Sequence, residues 1–170
     1  MAASKKFELP EGFLEDPAPN LTKSVIDFKK EGIPNYAGQW AVVLDGVLSE
    51  EECKILIAAA EATSEGVWER AMVNVGAGRQ VMIEETRKCG RIIWDDRDMV
   101  AKIWTRIESS VPDIHRLRNW ADVTGIGPAK RNEVWKVTGL NERMRFLKYV
   151  GGEYFKGMKN RSMPEVLLTN

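Results

Sequence analysis

The apolar and polar positions of the chain cycle first with the period of a strand and then with that of a helix. Trp40-Ala41-Val42-Val43-Leu44 is an apolar, β-branched run closed by Asp45-Gly46, which predicts a strand. Ser49-Glu50-Glu51-Glu52 follows. The serine can cap a helix, and the glutamate three residues on can reach back to it, forming a capping box. The predicted helix runs from Glu50 to about Ala62 and carries Cys53, Leu56, Ile57 and Ala60 on one face, with three glutamates at its positive end. From Gly66 to Asp95 the pattern is extended, with strands expected at Val67–Ala71 and Arg91–Trp94 and a loop at Gly76–Arg79. Asp95-Asp96 then caps a helix from Arg97 to about Ser109, striped by Met99, Val100, Ile103, Trp104 and Ile107 and ended by Pro112.

Residues 113–132 read as loop, and Val134–Val137 as a strand. The turn Gly139–Asn141 leads into Arg143-Met144-Arg145-Phe146-Leu147-Lys148, which alternates with period two. Met144 and Phe146 form its buried phase, with Leu147 a candidate for the same side. Arg143, Arg145 and Lys148 supply charge between them. Gly151-Gly152 breaks that run and allows a sharp redirection. Residues 1–38 are interrupted by Pro10, Gly12, Pro17, Pro19, Asn20, Gly32, Pro34 and Gly38. They are expected to form an irregular arm, with one turn of helix at Ser24–Phe28. Strands and helices in this order, without a βαβ rhythm or an internal repeat, predict an α+β fold in one domain.

Composition narrows the partners. Lysine plus arginine number 25 and aspartate plus glutamate 25, so formal net charge is zero. That balance argues against a nucleic-acid backbone or an anionic membrane as partner. The apolar fraction of 44% and charged fraction of 29% are those of an ordinary folded domain. Six tryptophans point to a well-filled interior or a docking face. Cys53 and Cys89 follow no spacing motif and read as reduced buried thiols, with a disulfide left open. No apolar segment follows Met1–Lys6 as a signal peptide would require, and no apolar run is long enough to span a bilayer. A cytoplasmic or nuclear location, without a membrane partner, is the expectation.

Four features could carry chemistry, and each has a plainer reading. Gly76-x-Gly78 lacks the third glycine and the lysine of a phosphate loop, and reads as a turn. Gly125-Ile126-Gly127-Pro128-Ala129-Lys130 resembles the hairpin of a helix-hairpin-helix DNA-binding motif, whose amides meet a phosphate. Against that stand Arg131 in a position that usually holds alanine and the absence of basic surplus. His115, the single histidine, reads as a surface or capping residue, and one histidine excludes any site needing two from this chain. Asp95 and Asp96 could form an acid/base pair but sit where helix caps belong.

Three segments together resemble a known family. Asn141-Glu142-Arg143-Met144-Arg145-Phe146-Leu147-Lys148-Tyr149, with Gly152 and Phe155 beyond it, is similar to the lead-in to the iron site of prolyl-4-hydroxylase-like 2-oxoglutarate oxygenases. Val42-Val43-Leu44-Asp45-Gly46-Val47-Leu48-Ser49-Glu50-Glu51-Glu52-Cys53 and Arg91-Ile92-Ile93-Trp94-Asp95-Asp96 match upstream, in the right order. The likeness covers residues 39–156. It leaves 1–38 as the N-terminal arm and 157–170 as a divergent tail.

The resemblance implies a double-stranded β-helix, or jelly-roll, supported by N-terminal helices. It also implies Fe(II) held by His-x-Asp and a distal histidine, 2-oxoglutarate anchored by a late basic residue, and ascorbate as a further requirement. Tyr149 matches a tyrosine that lines the 2-oxoglutarate pocket. Met158 stands where the first iron-binding histidine belongs and Asn160 where the aspartate belongs. The expectation is therefore an incomplete jelly-roll: a truncated, inactive relative with no catalytic or metal-binding residue of its own, binding neither Fe(II), 2-oxoglutarate nor ascorbate. A second reading is a non-catalytic interaction module that pairs with itself or a partner through an open strand edge at 143–150. A third is the DNA-binding hairpin at Gly125–Lys130.

Overall fold

A computed structural model describes residues 7–156. In chain order its strands and helices are β1 (Thr22–Val25), β2 (Val42–Asp45), α1 (Glu50–Thr63), β3 (Glu69–Arg70), β4 (Val73–Asn74), β5 (Gln80–Val81), β6 (Arg87–Lys88) and β7 (Gly90–Asp95). These are followed by α2 (Arg97–Ile107), β8 (Leu117–Arg118), α3 (Ala121–Thr124), α4 (Ile126–Lys130), β9 (Val134–Trp135), β10 (Arg143–Lys148) and β11 (Tyr154–Phe155). The protein is mixed α+β, built from small antiparallel sheets, and no closed barrel forms among the described residues. Two compact units can be separated. The first comprises Lys54–Val100 with the described parts of Met1–Glu11 and Leu140–Asn170; the second comprises Gly12–Cys53 and Ala101–Gly139.

In the first unit β7 is the central strand of a three-stranded sheet ordered β10-β7-β3. Ile92 and Cys89 are its most deeply buried large side chains, at 2% and 0% exposure. Leu56, Ala59 and Ala60 of α1 are buried in the same unit, together with Ala71, Val73, Met99 and Val100. Helix α1 ends in a Schellman turn: Glu65 takes φ 53°, and the Gly66 amide donates to the Glu61 carbonyl at 2.7 Å. Trp68 closes over this end, its indole N–H donating to Glu61 at 2.9 Å.

The second unit pairs β1 with β2 and β8 with β9. The expected helical turn at Ser24–Phe28 does not form. Thr22–Val25 is instead a strand in register with Asp45–Val42, and Phe13 and Leu14 of the same N-terminal stretch are buried. Pairing with a distant strand overrides a weak local preference. The start of α1 follows the capping-box prediction. The Ser49 amide donates to the Glu52 carboxylate at 2.7 Å, and the Glu52 amide donates to the Ser49 hydroxyl at 3.1 Å. Residues 113–132, expected as loop, contain β8 and two very short helices, α3 and α4. Helices of one turn leave no apolar period to read.

The strand expected at Val67–Ala71 shrinks to Glu69–Arg70, and that at Val134–Val137 to Val134–Trp135. The Gly151-Gly152 break also acts differently from the sharp redirection expected. Lys148 is opposite Gly90 and Tyr154 is opposite Lys88, both antiparallel, so the chain makes an excursion of Tyr149–Glu153 and then resumes its course along β6. Six steps on one side answer two on the other. The Glu153 amide donates to the Val150 carbonyl at 2.9 Å to close the turn, with Gly152 at φ +81°.

Candidate functional site

Strand β10 is six residues long and lies at the edge of its sheet, paired along one side with β7. Its alternation follows from the side chains. Met144 and Phe146 are half-buried, and Phe146 stacks on Trp94 with centroids 6.3 Å apart and planes 25° apart. Arg143, Arg145 and Leu147 take the opposite phase, which corrects the provisional placing of Leu147 with the buried residues; it is 41% exposed. An antiparallel ladder bonds every second residue inward. The Asp96 amide donates to the Glu142 carbonyl at 3.0 Å, while the Arg143 amide turns away and donates to the Asn141 side chain at 2.8 Å. By the same alternation the amides and carbonyls of Arg145 and Leu147 point out from the sheet. Among the described residues that leaves a short template with unspent backbone hydrogen bonds.

The outward phase is cationic. Arg143 holds Asp95 in a two-pronged contact at 2.8 and 2.6 Å. The hydrogen bonds from Arg143, more than its field alone, keep the Asp95 carboxyl below its usual range. Arg91 shares that phase and is 5% exposed; its guanidinium donates to Gln80 at 3.1 Å, while its buried Nε has no partner. Among the described residues neither Arg91 nor Arg145 has a carboxylate within 4.0 Å. Glu69, opposite Arg91 on β3, is the other acidic residue on this face of the sheet.

Tyr149 begins the excursion after β10 and is 45% exposed. Partial burial of its phenol, with the neighbouring Cys89 thiol as second cause, raises its pKa above the usual 10.0. Arg87 donates from Nε to Cys89 Sγ at 3.4 Å and lies 4.7 Å from the centre of the Phe155 ring. Glu153 forms an ion pair with Arg70 and also accepts from the Val150 amide at 3.1 Å. These groups pack and bond one another around a fully buried thiol. Tyr149 takes part in that packing through Cys89 and Arg87.

The remaining candidates are dispersed. Asp96 is a helix cap, accepting from the Met99 amide at 2.9 Å, and Asp95 is bound to Arg143. Gly76 and Gly78 turn the β4–β5 hairpin at φ 91° and 72°, where the Arg79 amide donates to the Gly76 carbonyl at 3.0 Å. Gly125–Lys130 is itself a short helix, α4, of five residues behind Gly125, preceded by the four-residue α3, and Arg131 beside it is bonded to Glu133 at 2.6 Å. His115 packs 6.2 Å from the Trp104 ring, with Nε2 buried and unpartnered. Cys53 and Cys89 are both free thiols, but only Cys89 is buried as expected; Cys53 is half-buried. Met158 and Asn160 lie outside the described residues.

An Fe(II) site of the 2-His-1-carboxylate kind does not fit this donor set. The chain has one histidine, and among the described residues no three His, Cys, Asp or Glu side chains gather as a metal ion requires. Among the same residues no helix is long and apolar enough to cross a membrane. No family model matches the chain, and neither does any curated protein or solved structure.

The pattern in the sequence located β10 but not its electrostatics. The phase relation between Arg91 and Arg145 depends on the β7–β10 register, and the partner of Arg106, described below, comes from 54 residues away. A buried arginine carries no local signal.

Proposed function

We propose that this chain is a non-catalytic strand-docking module, related to the prolyl-4-hydroxylase-like oxygenases and making an incomplete jelly-roll of their kind. One observation carries the docking reading: among the described residues β10 is paired along one side only, with the backbone groups of Arg145 and Leu147 turned outward. The order strand, capped helix, strand, capped helix, strand supports the kinship, as do the three segments that suggested it. The single histidine supports the absence of an iron-dependent step. Binding by strand addition draws on main-chain hydrogen bonds for affinity and on alternate side chains for specificity. Self-association through β10 is one form of this docking, and DNA binding at Gly125–Lys130 is not favoured by a chain with no basic surplus.

Two measurements test the reading. Anaerobic titration with Fe(II) and 2-oxoglutarate should give no charge-transfer band, and aerobic incubation no succinate; succinate above a no-protein control refutes the non-catalytic assignment. Amide hydrogen exchange should protect Met144, Phe146 and Lys148 while Arg145 and Leu147 exchange fast. Equal protection along all of 143–148 would mean that the edge is already covered.

A further inference from the structure

We infer that the strand docking on β10 is an acidic extended peptide, with carboxylates alternating with apolar residues. This rests on the open-edge reading above and adds the chemistry of the occupant. A strand laid beside β10 meets two faces of opposite character. On one it lies next to Met144 and Phe146, which continue into the Trp94 stack. On the other it lies next to Arg143, Arg145 and Leu147.

The cations and anions of this second face do not balance. Arg143 is matched to Asp95 in a direct ion pair, whereas Arg145 is exposed and only adds its field to that same carboxylate, with no ion pair of its own within 4.0 Å among the described residues. Behind it Arg91 is buried at 5% exposure and bonded only to neutral Gln80, leaving Glu69 as the remaining acid of that face. A side chain directly across a strand pair is near enough to form an ion pair, and like charges there are destabilising. An acidic residue opposite Arg145 therefore binds, and a basic one is rejected.

The same count disfavours a second copy of the chain. The strand Arg143-Met144-Arg145-Phe146-Leu147-Lys148 has three cations and no anion, so pairing β10 with itself brings six cations into one ribbon. Registers centred on Met144 or Arg145 place Arg145 against an arginine, and one centred on Phe146 still leaves the two Arg145 side chains diagonal to each other, within reach of long side chains. Apolar surface extends past the end of the strand through Leu147, Tyr149 and Val150, which are 41%, 45% and 56% exposed. A peptide longer than the six residues of β10 gains contact there.

The test uses the full chain and a fluorescein-labelled nine-residue probe of alternating glutamate and valine, with a control in which every glutamate is lysine. Fluorescence anisotropy should show the acidic probe binding at least tenfold more tightly than the basic one in 50 mM NaCl, the difference shrinking in 500 mM NaCl. Arg145→Glu should reverse that preference, and Arg145→Gln should abolish it. N-methylation of alternate probe amides should remove binding without altering the protein, so a misfolded variant cannot mask the answer. Acidic and basic probes that bind equally, and lose binding on N-methylation, would overturn the acidic partner while the docking edge stands. No binding by either probe, together with a dimer in light scattering that Leu147→Pro dissolves, would make a second copy the occupant and overturn the acidic partner. No binding, no dimer and uniform protection of β10 would overturn both readings.

Discussion

Glu52→Gln should cost this protein about 3 kcal/mol of stability. Glu52 does two things at once. One oxygen accepts the Ser49 amide of the capping box at 2.7 Å, and the two oxygens together receive Arg106 at 2.7 and 3.0 Å. Arg106 also donates to the Val47 carbonyl at 3.1 Å, and its side chain is 3% exposed against 21% for Glu52. Glutamine preserves the shape and an oxygen for the cap but removes the charge that neutralises a buried guanidinium.

The hydrogen bonds from Arg106, ahead of those from Ser49, lower the Glu52 pKa from 4.5 to about 2. At about 1.4 kcal/mol per pH unit, that difference is worth about 3 kcal/mol. Removing one member of a buried pair costs about 3–5 kcal/mol, in agreement. Because the folded pKa is depressed, this stabilisation is fully present above 4.5 and is lost as pH falls from there towards 2.

Thermal melts followed by circular dichroism should therefore show Glu52→Gln lowering Tm by about 6–12 °C at pH 7, with much less difference from the parent near pH 2. Arg106→Met should cost less, since Glu52 retains its cap and some access to water. Combining it with Glu52→Gln should recover at least about 1 kcal/mol relative to additivity. A Tm within 2 °C of the parent at pH 7, or strictly additive single changes, would refute the reasoning.

Further outcomes follow from the geometry. Gly46 has φ +69°, and an added Cβ would lie 2.2 Å from the Asn20 carbonyl oxygen, so Gly46→Ala should cost about 2–4 kcal/mol in urea denaturation. Gly32→Ala, at φ +74° in open space, should cost only about 1 kcal/mol; equal losses would refute the contact. Phe146→Ala should cost about 2 kcal/mol and quench or shift the Trp94 emission through loss of their stack, whereas unchanged fluorescence would place the ring elsewhere. In ultraviolet titration one of the three tyrosines should ionise later than the others, and Tyr149→Phe should remove that late component. Cys53, which is partly accessible, should react with a thiol reagent in the native protein, and Cys89 only after unfolding; two fast thiols would contradict the burial of Cys89.

Sequence patterning resolved those parts of the fold that rest on local rules. The Ser49–Glu52 box, the apolar stripe of α2 and the alternation of β10 each need only a few neighbouring residues to specify them, whereas the stripe expected on α1 is shifted: Leu56, Ala59 and Ala60 are buried and Ile57 is 45% exposed. The β1 strand leaves no local signal because Thr22–Val25 is extended only by virtue of β2, whose residues lie 17–23 positions further on. For the docking edge, the charges of Arg143 and Arg145 could be read directly. The lack of a second partner along β10 among the described residues, and the buried Arg91 behind it, are properties of strand order and register. Leu147 shows the difference well: its hydrophobicity suggested the inside, and the period of two sends it out.

The excursion between β10 and β11 has a mechanical consequence. Pairing is fixed on both sides of it, by Arg143 against Asp95 at one end and Tyr154 against Lys88 at the other. The ribbon is thus clamped like a ruler held at two marks. Sliding β10 by one residue would turn Met144 and Phe146 outward, pull Arg145 inward, and force Tyr149–Glu153 to absorb the slack against the Glu153–Arg70 ion pair. An incoming strand therefore meets one fixed sequence of hydrogen-bonding groups and one fixed phase of charge, and it is the guest that must find its register.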